Sequence, residues 1–393
     1  MSDILEPSAD RAIKQSANPA NLCSLLFLFI ALAFARGVYG MGGQSLWWDE
    51  SLSLQRASYD LPRILSNEII LTDTARQVIT FDNHPPLYFL LLHFVVKLAG
   101  QSEFALRFLS LAFSVLTVPL LYVLGKRLFD QRVGLLAALF GAISPLYLWY
   151  AQEARMYTML TFLGLLSFYS LLRILTSNVK LPTSNFQSPI SNIQLTVVYV
   201  LSSAAILATH YLGFLILLAE LVVFLSFLRR ATWRRVAIPV LVVLLITLPV
   251  LYYGYSILPK GEMAGFRFIP LLELLRDVSN SFSLGISLKA QQVLAVHWIF
   301  RVVFLIGAFA IIWKAFRRSN IQYPISNLQP FGDAQGRHPT SSKPLSALIY
   351  LFVPVFSIYL LSYVRPAYMN IRHLIMVSPA FYLILAMGLV TIR

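Results

Sequence analysis

The sequence has little cysteine and little charge. Among its 393 residues Cys23 is the single cysteine, and Asp, Glu, Lys and Arg together make up 12%. One cysteine excludes an intrachain disulfide and a metal site built from several cysteines. A soluble domain carries about 25% charged residues, whereas this chain is 58% hydrophobic with a mean hydropathy of +0.71. The composition therefore excludes a soluble single-core protein and predicts a polytopic membrane protein.

Acidic residues are the scarcer charged group. Asp and Glu number 17 against 31 Lys and Arg, which gives a formal net charge of +14. The sequence has no basic stripe with interleaved aromatic residues, so we expect no nucleic-acid partner. Most of the basic excess lies in short loops between apolar runs, as the positive-inside rule describes. Phosphate-loop, HExxH and CxxC motifs are absent, so the sequence supports neither an ATP-driven pump nor a zinc protease.

Ten long apolar runs predict an all-α fold with about ten transmembrane helices. A membrane helix needs about 20 residues at about 1.5 Å rise each, and about 17 are tolerated. The run 195–228 is too long for one helix, and we place a break at His210 and Tyr211. The predicted spans are 21–41, 104–125, 132–150, 156–175, 195–209, 212–228, 236–255, 291–313, 345–363 and 374–391.

The segment 85–99 is apolar but short. Its 15 residues include His93 and Lys97, and as a helix it covers about 22 Å, less than the roughly 30 Å of a bilayer core. If it does not cross the bilayer, the main basic clusters share the side of the N-terminus, which is then cytoplasmic. We therefore predict an interfacial or re-entrant helix here, in a multi-pass protein of the plasma (inner) membrane with its active site on the outer face. The clusters are Lys126-Arg127 with Arg132, Arg229-Arg230 with Arg234-Arg235, and Lys314 with Arg317-Arg318.

Two related segments lie between the apolar runs. Ser184–Gln194 and Ser319–Gln329 are identical at 8 of 11 positions. A structural repeat recurs as whole helical units, so we interpret both as inserted, disordered cytoplasmic linkers, with a partner-docking motif as the alternative. The predicted regions are a cytoplasmic tail 1–20, a membrane core 21–176 with a first outer loop 42–103, a linker 177–194, membrane helices 195–316 with an outer loop 256–290, a linker 317–344 and C-terminal helices 345–393.

The adjacent carboxylates Asp49 and Glu50 are the most distinctive polar pair. They follow Trp47 and Trp48, directly after the first predicted span. Charge near lipid must be solvated or paired, whereas tryptophan suits the headgroup level. We therefore expect the pair at the water–lipid boundary. A carboxylate there can accept a proton from an attacking hydroxyl or hold a divalent cation against a phosphate. A hydrated pair that ends a helix is the structural alternative.

Other candidate residues of the predicted outer face are mostly basic or aromatic. Arg155 lies between Glu153 and Tyr157 at a junction of two spans, and a guanidinium suits a phosphate. His84 precedes two prolines that can start a helix. It can bind a phosphate or a substrate hydroxyl, or simply be exposed beside that helix start. The remaining candidates for substrate binding are His210, Tyr211, Arg365, Arg372 and His373.

These motifs together resemble a known family. WWDE after the first span, DNHPPLY before the short helix, AQEARMY, THY and a late loop with RH are similar to the GT-C membrane glycosyltransferases. Within that family the sequence resembles the protein O-mannosyltransferases and the lipid A aminoarabinose transferases, over about residues 46–175. The resemblance implies transfer of a sugar from a polyprenyl- or dolichyl-phosphate donor on the outer face, usually with inversion. It also implies that Asp49 is the catalytic acidic residue, with Glu50 beside it, and that His84, where some relatives have lysine, lies near the donor phosphate.

The residues and the resemblance together predict a mechanism. Asp49 deprotonates an acceptor hydroxyl, and Glu50 beside it is a positioning or pairing group. The sequence requires no cofactor, and a divalent cation on the two carboxylates is compatible with it. The expected partners are the lipid-linked donor, membrane lipids, and a lipid, glycan or protein acceptor. A flippase for a lipid-linked sugar and a non-enzymatic scaffold are the alternatives, although no repeated halves typical of transporters are present. The groups expected to hold the phosphate are Arg155, His84, Arg365 and Arg372.

Overall fold

A computed structural model provides the fold of the chain. It describes residues 19–73, 76–82, 84–176, 192–227, 233–257, 268–288, 290–319, 342–364, 366 and 368–392. Within these ranges the chain is mainly α-helical, so the predicted helical membrane class is confirmed. The helices are α1 Pro19–Val38, α2 Trp48–Ala57, α3 Leu61–Ser66, α4 Leu87–Ala99, α5 Glu103–Leu128, α6 Gln131–Ile143, α7 Pro145–Ala151, α8 Tyr157–Leu175, α9 Asn192–Thr209, α10 Phe214–Ser226, α11 Trp233–Ile257, α12 Leu271–Leu284, α13 Leu294–Ser319, α14 Ser342–Val364 and α15 Ser378–Ile392.

Each predicted span coincides with one or more of these helices, but the number of spans stays a prediction. In the described residues, six helices are long and apolar enough to cross a membrane, and a bent pair would make a seventh. The run 195–228 is broken where the sequence predicts. The His210 side chain caps a 3-10 turn, Tyr211–Gly213, that separates α9 from α10. The segment 85–99 forms α4, whose 13 residues extend about 20 Å and are too short to span a bilayer.

The predicted span 132–150 is two helices. The axes of α6 and α7 meet at 52°, because Ser144 adopts a non-helical conformation and Pro145 starts the second helix. The Ser144 hydroxyl accepts a hydrogen bond from the Tyr147 N–H at 3.1 Å and caps α7. Proline is well tolerated in the first turn of a helix because that position needs no N–H donor. The bend leads the chain directly into residues 152–156, which belong to the polar site.

The predicted first outer loop contains the one sheet among the described residues. Strands β1 Glu68–Asp73 and β2 Arg76–Phe81 form an antiparallel ribbon in which Ile70 lies opposite Ile79. An N–H···O bond of 2.8 Å from Asp82 to Asn67 closes its base. This ribbon is an addition to the predicted all-α fold. Helices α2 and α3 pack against β1, and α4 presents Tyr88, Phe89 and Leu92 to the core.

The predicted outer loop 256–290 contains a helix. Helix α12 buries Leu274, Val278 and Phe282, which lie four residues apart and therefore on one face. Its 14 residues are fewer than a helix needs to cross a membrane. The predicted linkers are also shorter than expected, because 192–194, 317–319 and 342–344 are helical. Residues 177–191 and 320–341, which contain most of the two related segments, lie outside the described residues.

Helix packing in the C-terminal half depends on small residues. Gly307 of α13 and Gly388 of α15 lie at a close helix crossing. A Cβ atom on Gly388 would collide with the Val303 carbonyl, and one on Gly307 with the Ile384 carbonyl. Membrane helices lack a strong hydrophobic drive to associate and gain stability from such close backbone approach. Helix α15, which is mostly buried up to Gly388, thereby fixes the position of the polar segment that precedes it.

Candidate active site

Helix α2 places the two predicted carboxylates in its first turn. Asp49 and Glu50 lie at its positive end, where the helix dipole favours negative charge. The Glu50 side chain is only 1% exposed. Its Oε1 accepts hydrogen bonds of 2.8 Å from both Arg107 Nε and the Ala154 N–H, and its Oε2 accepts one of 2.7 Å from Arg107 Nη2. Both oxygens of Glu50 are therefore occupied by partners within the protein.

Arg107 and Glu50 together join four segments of the chain. Besides Glu50, it donates to the carbonyls of Met41 at 2.7 Å and Gln44 at 2.9 Å. Bidentate pairs between arginine and carboxylate are strong and have a fixed geometry. The pair thus ties α2, the loop before it, α5 and residues 152–156 together. Of the two adjacent carboxylates, Asp49 is therefore the one that is open to a substrate.

Asp49 faces a basic residue from the distant end of the chain. Its Oδ2 lies 3.1 Å from Arg372 Nη1, and the Asp49 side chain is 21% exposed. Arg372 belongs to a 3-10 turn, Ile371–His373, and its guanidinium lies 6.0 Å from the centre of the Tyr157 ring. Both side chains keep some exposure, so water can solvate the separated charges and the pair is less costly to part than a fully buried one. Asp49 can therefore exchange this partner for another more easily than Glu50 can.

Arg155 is buried next to the same carboxylate-bearing helix. Its Nη1 donates to the Asp49 carbonyl at 3.4 Å and to Ser53 Oγ at 3.3 Å, while its Nη2 lies 3.4 Å from His84 Nε2. Ser53 follows Asp49 by one helical turn and shares its face. Arg155 Nε makes no hydrogen bond among the described residues. A cation with a spare donor is thus placed between the acidic helix and His84.

His84 is oriented by a second carboxylate. Its Nδ1 lies 2.7 Å from Asp82 Oδ1, and Asp82 Oδ2 accepts a hydrogen bond of 2.8 Å from Arg56 Nη1. Burial alone would raise the pKa of Asp82, but His84, Arg56 and Arg155 together lower it below its usual value. Asp82 is therefore ionised, and it fixes which nitrogen of His84 points into the site.

Two further histidines and a tyrosine extend the cluster. The ring of His210 lies 5.4 Å from that of His84 and 6.3 Å from those of His373 and Tyr157. Burial, together with His84, His373 and the two nearby arginines, lowers the pKa of His210 well below its usual value. His210 is therefore neutral. Tyr211 lies close enough to Arg56 to influence its ionisation, beside the Asp82–His84 pair.

Glu153 is a buried carboxyl at the edge of the cluster. Burial raises its pKa to about 7, and Arg155 opposes that rise. Its Oε1 has no hydrogen-bond partner in the described part of the chain. The surrounding backbone is fixed, because Gln152 Nε2 donates to the carbonyls of Gly37 at 3.0 Å and Tyr39 at 2.8 Å. An acid that titrates near neutral pH thus lies beside Arg155.

The structure brings most of the predicted site residues together and adds three that the sequence analysis did not single out. Arg365 lies outside the described residues. The additional residues are Arg56, Asp82 and Arg107. A signal for Arg107 exists, since a lone arginine in an apolar helix needs a buried partner or a function. The predicted residues that the structure places in or beside the cluster are Asp49, Glu50, His84, Glu153, Arg155, Tyr157, His210, Tyr211, Arg372 and His373.

A joint divalent-ion site on Asp49 and Glu50 stays a conditional prediction. The Glu50 oxygens already accept hydrogen bonds from Arg107 and the Ala154 N–H, so an ion shared with Asp49 would have to replace these contacts. Among the described residues, no group of three or more His, Cys, Asp or Glu side chains is arranged to hold a metal ion. The cluster is instead rich in guanidinium and imidazole groups, which suit an anion.

Comparisons with known proteins identify a family model and several solved structures that this chain resembles. Residues 83–253 match a family model described as dolichyl-phosphate-mannose-protein mannosyltransferase. The apo structure of ArnT from Cupriavidus metallidurans aligns with a TM-score of 0.58 and 16% identity, over 93% of this chain and 60% of that one. ArnT bound to undecaprenyl phosphate aligns with a TM-score of 0.53 and 15% identity, over 92% and 59%. The apo oligosaccharyltransferase of Archaeoglobus fulgidus gives 0.55 and 12%, over 93% and 50%.

These matches define the class of the protein. It is a polytopic membrane protein with the fold of the GT-C membrane glycosyltransferases, so the predicted resemblance is confirmed. At the identities found, the solved structures establish the fold rather than the reaction. The chain spans about 60% of the length of the ArnT chains that it matches. The search of curated proteins found no match.

Proposed function

We propose that this protein transfers a sugar from a polyprenyl-phosphate donor to an acceptor hydroxyl. The observation that carries the proposal is the position of Asp49, a partly exposed carboxylate within hydrogen-bonding distance of Arg372 and beside the buried Arg155. Transfer from a phosphate-linked sugar needs a base for the acceptor and cations for the departing phosphate. Both requirements are met within one cluster. The ArnT structure with undecaprenyl phosphate supports the choice of donor.

In the proposed reaction, the donor phosphate takes Arg372 away from Asp49. Arg372, Arg155 and His84 hold the phosphate, and Asp49 becomes free to accept the proton of the acceptor hydroxyl. The hydroxyl oxygen then attacks the anomeric carbon in line with the departing phosphate oxygen, which inverts the configuration. The cations stabilise the negative charge that develops on the leaving group. Arg365 is a further candidate for this role from the sequence.

The remaining site residues have supporting roles in this proposal. Glu50 fixes the first turn of α2 through Arg107, so that Asp49 is correctly placed. Tyr157, His210 and His373 line the space beside the phosphate, and Tyr211 lies next to Arg56. Glu153 adds a polar group near Arg155 that is neutral at acidic pH. Exclusion of water by these packed rings would limit hydrolysis of the donor.

The side of the membrane and the acceptor are also part of the proposal. The parity of the short helix 85–99 and the basic loops supports a cytoplasmic N-terminus and an active site on the outer face of the plasma membrane. The transferred group is a hexose or pentose, and the acceptor is a lipid, glycan or protein. These acceptors share a hydroxyl, which is the group that Asp49 activates.

Release of polyprenyl phosphate tests the proposal directly. The full chain in lipid nanodiscs is incubated with a polyprenyl-phosphate hexose and a panel of hydroxyl acceptors, and the lipid product is quantified. We expect Asp49→Asn to reduce release by about 10²- to 10⁴-fold, because general-base catalysis contributes on that scale. Asp60→Asn is the matched control, since Asp60 is exposed before α3 and makes no side-chain cap. We expect its activity to equal that of the unmodified protein.

The results separate this function from transport. Unchanged release with Asp49→Asn would reject the catalytic role of Asp49. A donor that binds and crosses the bilayer of proteoliposomes, with no release for any acceptor, would reject glycosyl transfer and support the flippase.

A further inference from the structure

His84 is held by a buried network that begins at Arg56. The Arg56 side chain has no exposed surface. Besides Asp82, it donates to the His84 carbonyl at 2.9 Å and the Ile64 carbonyl at 3.0 Å, and its guanidinium lies 4.1 Å from the centre of the Phe89 ring. Separating such a buried pair would leave an uncompensated charge and cost folding free energy, so the two side chains stay in place. Asp82 therefore presents a fixed, ionised oxygen to the imidazole of His84.

The hydrogen bonds of His84 define its resting protonation state. Ionised Asp82 can only accept a hydrogen bond. His84 Nδ1 therefore carries a proton and donates a hydrogen bond of 2.7 Å to Asp82 Oδ1. On the other side of the ring, Nε2 lies 3.4 Å from Arg155 Nη2. A guanidinium can only donate, so Nε2 acts as the acceptor and has no proton. His84 is thus a neutral imidazole in the ligand-free protein, with its basic nitrogen facing the site.

The charges around His84 explain why it is neutral. Burial lowers its pKa below the usual value, Asp82 opposes this, and Arg155 and Arg56 add to it. The other titratable group against the ring is His210, whose Nδ1 accepts the Leu212 N–H at 3.1 Å. His210 is itself neutral and brings no negative charge. Arg155 is therefore the group whose charge an arriving anion would offset.

A phosphate at Arg155 reverses this balance. Its oxygen would take the guanidinium N–H that now points at His84 and would place an acceptor opposite Nε2. Two acceptors without a proton between them repel, whereas a protonated imidazole between Asp82 and a phosphate has an anion on each side. This inference rests on the proposed function for the identity of the ligand. We infer that binding of a phosphate ester beside Arg155 is coupled to the uptake of one proton by His84, and that this proton goes to the departing phosphate.

The transfer step balances with this proton. The acceptor oxygen forms a bond to the anomeric carbon and gives its proton to Asp49. The bond between that carbon and the phosphate oxygen breaks, and its electron pair stays on the phosphate. The released monoester would carry two negative charges, and the proton from His84 Nε2 reduces them to one. His84 returns to the neutral form, hydrogen-bonded to Asp82 as before. A lysine at this position would supply a permanent charge instead.

Calorimetry of donor binding without acceptor tests the coupling. The full chain in nanodiscs is titrated with a polyprenyl-phosphate hexose at about pH 8, where a free imidazole is neutral, in buffers that differ in ionisation enthalpy. The phosphodiester of the donor does not titrate near neutral pH, so any proton taken up belongs to the protein. We expect uptake of about one proton per bound donor. A second titration uses dimethyl phosphate, a diester that does not titrate near neutral pH either, and shows whether the phosphate group suffices without the lipid.

Four variants assign the proton to His84. We expect His84→Lys to bind the donor without proton uptake, because its charge is permanent. His84→Gln loses a charged hydrogen bond, so we expect no uptake and binding about 10- to 100-fold weaker. We expect Asp82→Asn to reduce uptake, because the imidazolium loses its anionic partner. His297→Gln is the matched control, since His297 bonds Ser283 at 2.8 Å outside the site, and we expect it to retain the uptake.

The pH profile of transfer provides a second readout. We expect turnover to fall as the pH rises and the bound His84 loses its proton, and His84→Lys to move this fall to higher pH. Zero uptake in the unmodified protein, or the same uptake in His84→Lys, would overturn the inference while leaving glycosyl transfer intact. Uptake with dimethyl phosphate but no donor binding would support the proton coupling and reject the lipid-linked donor. Binding of neither ligand would overturn both.

Discussion

At the scale of single residues, the site uses three pairs of carboxylate and cation with different burial. Glu50–Arg107 and Asp82–Arg56 are buried and have several hydrogen bonds each, so they hold their segments in place. Asp49–Arg372 is partly exposed and has a single contact of 3.1 Å. A buried pair is costly to break, whereas an exposed one contributes little. The pair that can most easily exchange partners is therefore the partly exposed one, Asp49–Arg372.

Loss of the Glu50 charge is expected to destabilise the protein. In Glu50→Gln the amide keeps one acceptor, but Arg107 becomes a buried charge without a counterion. We expect a loss of about 3–5 kcal/mol in the free energy of unfolding, measured as a lower temperature of thermal unfolding in detergent. Glu68→Gln, at the half-buried start of β1, is the control and should unfold as the unmodified protein does. Equal unfolding temperatures for both variants would contradict a structural role for Glu50.

Glu153 is expected to make stability depend on pH. Its pKa is about 7 in the folded protein against an ordinary value of 4.5. A carboxyl with a raised pKa holds its proton longer when folded, so its stabilising contribution is complete below about 4.5 and is lost as the pH rises to about 7. The difference between the unfolding temperatures of Glu153→Gln and the unmodified protein should therefore change with pH through this window and be constant above it. A constant difference at all pH values would contradict the raised pKa.

The sequence indicates some of these residues and not their partners. Asp49 and Arg155 can be found because they follow apolar runs and belong to recognisable motifs. Arg56 and Arg107 cannot be assigned, since their function depends on carboxylates 26 and 57 positions away. Pattern analysis has no information on which distant segments meet. It could have identified Arg107 as an arginine that requires a partner, but not Glu50 as that partner.

At the scale of elements, apolar periodicity predicts helices better than their interruptions. The break at His210 was predictable because 195–228 is too long for one span, and the histidine caps the 3-10 turn there. The bend at Pro145 was not predicted, because the run 132–150 has the length of a single span. The β-ribbon was not predicted, because its first strand, EIILTD, lacks a strict alternation of polar and apolar residues. Helix α12 was too short to stand out as a span.

The crossing of α13 and α15 makes a prediction about packing. A methyl group at Gly388 would collide with the Val303 carbonyl, so Gly388→Ala should force the helices apart. We expect a loss of about 1–3 kcal/mol, the usual effect of overpacking, seen as a lower unfolding temperature. Gly42→Ala is the matched control, because its methyl group would meet Phe104 Cβ at an ordinary 3.7 Å. Equal stability of the two variants would show that the crossing can relax.

At the scale of the whole molecule, the site joins distant parts of the chain at one end of the helices. Asp49 and Arg372 are 323 positions apart, yet their side chains touch. The parity of the predicted spans anticipated that these residues share one side of the membrane, because an even number of crossings separates them. It could not predict which side chains make contact, since that depends on helix tilt and on the bend at Pro145.

Labelling with an impermeant maleimide tests the sidedness. Cys23 is the single cysteine, so Cys23→Ser gives a background without thiols. Ser58→Cys, at an exposed position after α2, should be labelled from outside intact cells. Ser188→Cys, in the predicted cytoplasmic linker 177–194, should be labelled only after the membrane is opened. The reverse pattern would place the carboxylates inside and would contradict the proposed outer-face site.

The ribbon of β1 and β2 is attached to the rest of the protein at its base. The buried Arg56 side chain bonds Asn67 just before β1 and Asp82 just after β2, so one guanidinium clamps both ends. His84 is positioned by this clamp rather than by the ribbon itself. The start of the ribbon is also held by Gln55 and Tyr59, which hydrogen-bond the Ile70 carbonyl and N–H. The part of the hairpin beyond Ile70 and its partner Ile79 is thus replaceable: a longer, shorter or foreign turn could be exchanged there without moving the imidazole. The surface of this loop can therefore diversify, or be engineered to display a tag, independently of the residue cluster below it.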